Sequence, residues 1–259
     1  MKQIKLLFLL ASASVTGAFA QSNGLTDMSQ SRYAKMANTG IDAVHWTNGF
    51  WGERFNVFSG TSLQSMWNTW NTPEVSHGFR NFEIAAGVCK GEHWGPPFHD
   101  GDMYKWMEGV ASVYAVNKDP ELDKLMDNFI ACVVKAQRAD GYIHTPVVIE
   151  ELNKGIDSHT LADSQQQTVI GTKVGSEDEK GAFANRLNFE TYNLGHLMMA
   201  GIVHHRATGK TTLLDAAVKA TDFLCHFYET ASAELARNAI CPSHYMGVVE
   251  MSVSYTHLT

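Results

Sequence analysis

Between Asn188 and Asp215 the chain reads N-F-E-T-Y-N-L-G-H-L-M-M-A-G-I-V-H-H-R-A-T-G-K-T-T-L-L-D. Leu194, Leu197, Met198, Gly201 and Ile202 recur at the three-and-four spacing of one helix face, and Thr208-Gly209 breaks the run. Leu213, Leu214, Ala217, Val218, Thr221 and Leu224 then resume it. Two amphipathic helices joined by so short a break fold back on each other, so the stretch predicts an αα-hairpin. Its first turns bring Glu190, Tyr192 and His196 to one end, a place where polar groups can line the mouth of a cavity.

A second hairpin lies upstream. Asp100-Gly101-Asp102 opens a helix with Met103, Trp106, Met107, Val110 and Tyr114 on one face, Asn117 to Pro120 turns it, and Leu122, Leu125, Met126, Phe129 and Val133 carry the return helix to Asp140-Gly141. Asp119-Pro120 and Thr208-Gly209 occupy matching turns, as a stacked or circular array of helix pairs requires. A further helix is expected near His244. Strand signals are poor, with regular alternation only over Tyr142 to Ile149. The fold class expected is all-α.

Five motifs run through this framework: G-F-W-G-E-R-F at 49–55, D-G-D-M-Y-K-W-M-E at 100–108, D-G-Y-I-H-T at 140–145, E-T-Y-N-L-G-H-L at 190–197 followed by A-T-G-K-T-T-L-L-D at 207–215, and S-H-Y-M-G-V-V-E-M at 243–251. On these the chain resembles the bacterial β-L-arabinofuranosidases of glycoside hydrolase family 127. The resemblance implies an (α/α)6 toroid of six helical hairpins with a C-terminal β region, and an enzyme that removes arabinofuranose from plant-derived glycans. It also implies a cysteine nucleophile held with further cysteines and a glutamate around zinc. Here no cysteine has a glutamate two residues before it and no two cysteines adjoin, so no metal or other cofactor is expected within this stretch, and zinc is an expectation for a longer protein. Phe189-Glu190-Thr191-Tyr192 stands where the family commonly has His-Glu-x-Tyr, which marks a divergent branch.

Twelve helices with their loops need roughly 350 residues or more, and this chain of 259 residues offers about five clear helices. The expectation is an incomplete toroid over 21–251, inactive by itself, with the catalytic groups beyond residue 251 and a non-native tail over 252–259. Lys2 and Lys5, the apolar run Leu6 to Ala13, and Ala18-Phe19-Ala20 predict a signal peptide over 1–20 and an exported protein, periplasmic or extracellular. No later segment approaches the roughly 20 apolar residues of a membrane span. Removing the two lysines takes the formal charge from −7 to −9, which disfavours nucleic acid and leaves a neutral oligosaccharide partner unaffected.

Candidate substrate-binding residues are His144, His196, Glu190, Tyr192 and Asp102. His144 and His196 are expected to face one cavity and bond sugar hydroxyls. Glu190 either bonds substrate or caps its own helix. Asp100 and Asp102 form the obvious carboxyl pair for glycoside hydrolysis, yet at a helix start a capping role is the stronger expectation. All six tryptophans fall between Trp46 and Trp106. Trp106 reads as core, while Trp67, Trp70 and Trp94 are open between core and sugar platform. The four cysteines allow three pairings, but Cys132 and Cys225 fall among apolar helix positions and read as buried free thiols. His204-His205 reads as a surface pair, Gly209-Lys210-Thr211 as a turn rather than a phosphate loop because His204 replaces the first glycine, and Glu150 to Leu187 as a lid or an insertion. A polysaccharide lyase using Tyr192 and His196 remains an alternative, and a helical sugar-binding protein a lesser one.

Overall fold

The computed structural model describes residues 24–28, 31–156, 183, 186–237, 239 and 241–254. The expected signal peptide, most of the expected lid and the end of the expected tail lie outside the described residues. Among those described there are helices and no strands, which bears out the all-α class. α1 (Gly49–Val57) runs through a π-helical turn (Phe58–Ser62) into α2 (Leu63–Trp70). Then come α3 (Gly78–Ala85), α4 (His99–Asn117), α5 (Pro120–Ala136), α6 (Thr145–Asn153), a 3-10 turn (Arg186–Asn188), α7 (Glu190–Thr208), α8 (Thr212–Thr230), the short α9 (Ala233–Ala236) and α10 (His244–Ser254).

Both hairpins form as the periodicity requires, and they turn by the same device. α4 ends on Lys118 at φ 54° and α7 on Gly209 at φ 76°, each left-handed. Gly209 adopts that region freely, whereas Lys118 carries a cost of order 1 kcal/mol. Its Nζ reaches the Ala207 carbonyl at 3.0 Å, tying the two turns together. Asp119 caps α5 by accepting from the Glu121 N–H at 2.9 Å, with Pro120 at the first helical position.

α4, α7 and α10 lie side by side in parallel. Gly101 at the start of α4 bonds Asn193 at the start of α7, and their ends meet at Lys118 and Ala207. A β-carbon on Gly195 would come within 2.4 Å of the His244 backbone nitrogen, and one on Gly247 within 2.8 Å of Met198. α7 and α10 therefore touch backbone to side chain only because those positions lack one. α5 and α8 are the return helices behind this row. That is the inner-and-outer helix arrangement of an (α/α) toroid, present in part.

Phe82, Met103, Trp106, Met107 and Phe129 are buried between α3, α4 and α5. Fully burying a side chain of this size contributes about 1.5–3 kcal/mol. Trp106 is core as expected, stacked on Trp67 at 5.0 Å.

The structure corrects three expectations. The alternating stretch Tyr142 to Ile149 becomes a turn followed by α6, because Gly141 at φ 96° and Pro146 punctuate it. Gln137 also clamps the turn, donating to the Gly141 and Ala216 carbonyls at 2.8 Å each. Cys225 is exposed and Cys132 only half-buried, although all four cysteines are free. His204 is fully buried instead of lying on the surface, since α7 is covered on most of its circumference. Apart from these, α10 runs three residues past Met251, to Ser254, which leaves the expected bound at 251 untested.

Candidate functional site

Polar groups converge where α4 and α7 begin, brought there by the turn that leads into α6. That turn is built by Arg138, itself buried, which bridges Asp140 at 2.9 Å and Glu151 at 3.0 Å and lies 5.1 Å over the Tyr142 ring. It delivers Tyr142, His144 and Thr145 as buried side chains. Asp100, in the first turn of α4, accepts from the Thr145 N–H at 2.7 Å and hydroxyl at 2.6 Å, and stands 3.6 Å from His144 Nδ1. Asn193 of α7 ties the elements together. Its Oδ1 accepts from the Gly101 N–H at 2.9 Å, and its Nδ2 donates to the Pro97 carbonyl at 2.9 Å and lies 3.3 Å from His144 Nδ1. Glu190 accepts from the Tyr142 hydroxyl at 2.5 Å and from the Phe183 N–H at 2.6 Å.

The residue that aims Glu190 is held against its preference. Phe189, the N-cap of α7, sits at φ 58° without side-chain capping, its ring set against Phe98 at 5.3 Å and Tyr192 at 5.8 Å. A bulky residue in this region costs on the order of 1–3 kcal/mol, and such conformations cluster at functional sites.

A second group runs along the α4–α7 seam. Asp102 pairs with Lys105 at 2.8 Å, Lys105 Nζ donates to the Tyr192 hydroxyl at 2.5 Å, and the Tyr192 ring meets His196 edge-on at 4.6 Å. His196 Nδ1 lies 3.8 Å from Glu108 Oε1, with the His196 side chain 14 % exposed. Spacings of three and four place Asp102, Lys105 and Glu108 on one stripe of α4, and Tyr192 and His196 on one stripe of α7.

The two buried carboxyls are driven apart. Burial alone would raise Asp100, but the His144 imidazole and the two bonds from Thr145 outweigh it and hold the carboxyl below its ordinary value. At Glu190 burial wins over His144, the Tyr142 hydroxyl and the Phe183 N–H, so its carboxyl is raised. Burial pushes His93 down to about 4, against the pull of Asp100. Buried atoms without a hydrogen bond gather here: His144 Nε2, His93 Nε2, His99 Nδ1, Tyr104 Oη and Glu108 Oε1. They are closed off from solvent, so together they form a polar patch within the helix packing.

The candidates from sequence therefore fall into two groups. His144 and Glu190 belong to the buried network, Asp102, Tyr192 and His196 to the open seam, and no contact joins His144 to His196 among the described residues. Asp100 is a correction. The helix begins at His99 with Phe98 as its cap residue and no side-chain cap bond, so Asp100 does not cap α4; it anchors the turn carrying His144. Glu190 likewise makes no cap bond. Asn193, Thr145, Tyr142 and Glu108 were missed. Asn193 stood inside E-T-Y-N, and an Asn in the middle of a buried helix face was the signal available.

The cysteine and glutamate zinc site implied by the resemblance does not fit these residues. Among the described residues no three His, Cys, Asp or Glu side chains gather as ligands, and the cysteines lie free in separate elements.

Comparison with known proteins agrees with this arrangement. The model of the β-L-arabinofuranosidase GH127 catalytic domain matches residues 43–257. A non-reducing end β-L-arabinofuranosidase of Bifidobacterium longum is 32% identical over 149 residues, which cover 58% of this chain and 19% of that protein. A solved structure described as a glycoside hydrolase is 68% identical with a TM-score of 0.61, covering 91% of this chain and 27% of that one. A GH127 β-L-arabinofuranosidase from Geobacillus stearothermophilus T6 is 27% identical with a TM-score of 0.64, covering 82% of this chain and 30% of that one. The chain thus spans less than a third of the length of these relatives. Since the match takes in α1 to α10 and with them every residue of the buried network and the seam, the chain belongs to the β-L-arabinofuranosidase family, GH127.

Proposed function

We propose that this chain forms part of the sugar-binding wall of an exported glycosidase that releases arabinofuranose from plant-derived glycans with retention of configuration. The reading rests on one observation above the others: His196, partly open, is set between Tyr192 and Glu108 on the seam of two parallel helices. An imidazole so placed donates or accepts a hydrogen bond with a furanose hydroxyl, and the Glu108 carboxylate 3.8 Å from its Nδ1 orients the ring. The buried network fixes that seam in place. Asp100, Thr145 and Asn193 lock α4, α6 and α7 together, so the sugar meets groups already oriented and little reorganisation remains for the reaction. The nucleophile and the general acid belong to parts of the longer protein beyond this chain, consistent with relatives of which the match covers 19% to 30%. Names of the relatives support the arabinofuranoside, and the basic, apolar start of the chain supports export.

The lyase alternative is weaker on electrostatic grounds. A uronate substrate needs free cations, and the seam's one cation, Lys105, is held by Asp102 and Tyr192. A sugar-binding protein without activity keeps the same seam and differs only in turnover. The test is an assay of the chain joined to the remaining length its relatives have, on an aryl β-L-arabinofuranoside and on a polyuronate. Release of arabinose with retained anomeric configuration is expected; an unsaturated uronate product, or binding without turnover, overturns the reading.

A further inference from the structure

The loop between α3 and α4 holds an exposed indole in a rigid frame. Trp94 is 51% exposed, yet its backbone is gripped on both sides by Asn81, which is fully buried in α3. The Asn81 amide donates to the Trp94 carbonyl at 3.0 Å and its oxygen accepts from the Trp94 N–H at 3.3 Å. Three residues on, the Pro97 carbonyl is held by Asn193 of the buried network at 2.9 Å. Between these clamps Gly95, at φ 103°, passes so close to His99 that a β-carbon would fall 2.6 Å from the ring. The ring stays open, tilted at 59° to the His77 ring with the centroids 4.9 Å apart, and its indole N–H makes no bond among the described residues.

The surroundings are those of a site. His93, the preceding residue, feels the charges of Asp100, His144, His99 and His77, so the indole stands at the margin of the buried network. Asn81 and Asn193 both hold the backbone of this loop while its ring remains in solvent, which preorganises an aromatic surface.

We infer that Trp94, backed by His77, is a stacking platform for a second sugar ring of the glycan, the one adjoining the arabinofuranose that is released. The chemistry is that of a neutral oligosaccharide, whose C–H face lies on the indole while a hydroxyl takes the N–H. Trp94 is thus a determinant of chain-length specificity. The inference rests on the arabinofuranosidase reading and deepens it.

The experiment compares the full-length protein with Trp94→Ala and Trp94→Phe on methyl β-L-arabinofuranoside, which has no second ring, and on an arabinofuranosyl trisaccharide. Stacking of this kind amounts to roughly tenfold in affinity. Trp94→Ala is expected to raise KM for the trisaccharide about tenfold with kcat unchanged, to leave the methyl glycoside unaffected, and to be partly rescued in Trp94→Phe. In parallel, titrating the trisaccharide should quench tryptophan fluorescence in the parent and not in Trp94→Phe. Equal KM values for parent and Trp94→Ala, or quenching that survives Trp94→Phe, overturn the platform while the arabinofuranosidase reading stands. Where neither glycoside is cleaved, that reading falls, and the quenching titration alone decides the platform.

Discussion

Where α4 and α7 begin, several buried ring nitrogens make no hydrogen bond among the described residues; where the same helices end, most charged groups are paired. At the ends, Arg206 meets Glu250 at 2.5 Å with both side chains nearly buried, and Arg206 also donates to the Leu25 carbonyl at 2.8 Å. Lys210 binds Asp123 at 2.7 Å and Asp127 at 2.8 Å, and His205 Nδ1 contacts the Lys210 carbonyl at 3.0 Å. Leaving a buried polar atom unsatisfied costs about 1–3 kcal/mol, whereas a satisfied one is close to neutral. The contrast separates a start rich in unbonded polar groups, where we place the sugar, from an end whose charges are satisfied within the fold.

The largest expected effect tests whether the starts serve both purposes. Asp100→Ala strips Thr145 of two acceptor bonds and His144 of its carboxylate, so about 3 kcal/mol or more of stability should vanish along with activity. Denaturant unfolding of this variant measures it; an unchanged midpoint would show that the network is slack. At the other end, Arg206→Ala leaves Glu250 buried and unpaired. A loss of about 3 kcal/mol is expected with kcat and KM retained at permissive temperature, and a fall in kcat before any unfolding would erase the distinction between the ends.

His204 is the exception at the fold end, with neither ring nitrogen bonded. Its neighbours in charge are Lys210, His205, Asp123 and Asp127, and burial drives it down to about 4. With a folded pKa below the unfolded value near 6.5, the unfolded chain binds the extra proton. Stability is therefore complete above about pH 6.5 and is lost as pH falls toward 4, by up to about 3 kcal/mol. His93, also lowered to about 4, adds in the same window. His204→Leu should flatten much of this slope at little cost at pH 7, because it removes two unpaired atoms from the core. Thermal melts from pH 7 to 4 decide it; a slope unchanged in the variant places the dependence elsewhere.

The smallest effect is the most selective. His196→Ala should lower turnover of an aryl arabinofuranoside at least tenfold, about 1.4 kcal/mol of transition-state binding, while the melting temperature stays nearly constant. A loss shared with stability would move His196 from the open seam to the core.

The helical hairpins, their turns at Asn117–Pro120 and Thr208–Gly209, the all-α class and the family were legible in the chain, because periodicity, capping residues and motif spacing are local properties. The same locality misled at Tyr142–Ile149, where alternation suggested extended backbone and Gly141, Pro146 and the Gln137 clamp produced a turn and a helix. Of the candidate site, His144, Glu190, Tyr192, His196 and Asp102 could be named from their motifs. Their division into a buried network and an open seam could not, nor could the conversion of Asp100 from a supposed cap to the anchor of the α6 turn. Those outcomes depend on Thr145 and Asn193, 45 and 92 residues from their partners Asp100 and Gly101. Helix and turn propensities are set by neighbours a few positions away. Hydrogen-bond partners, burial and the opposed shifts of Asp100 and Glu190 exist only once α4, α6 and α7 are packed, because desolvation and fixed geometry come from groups distant in sequence.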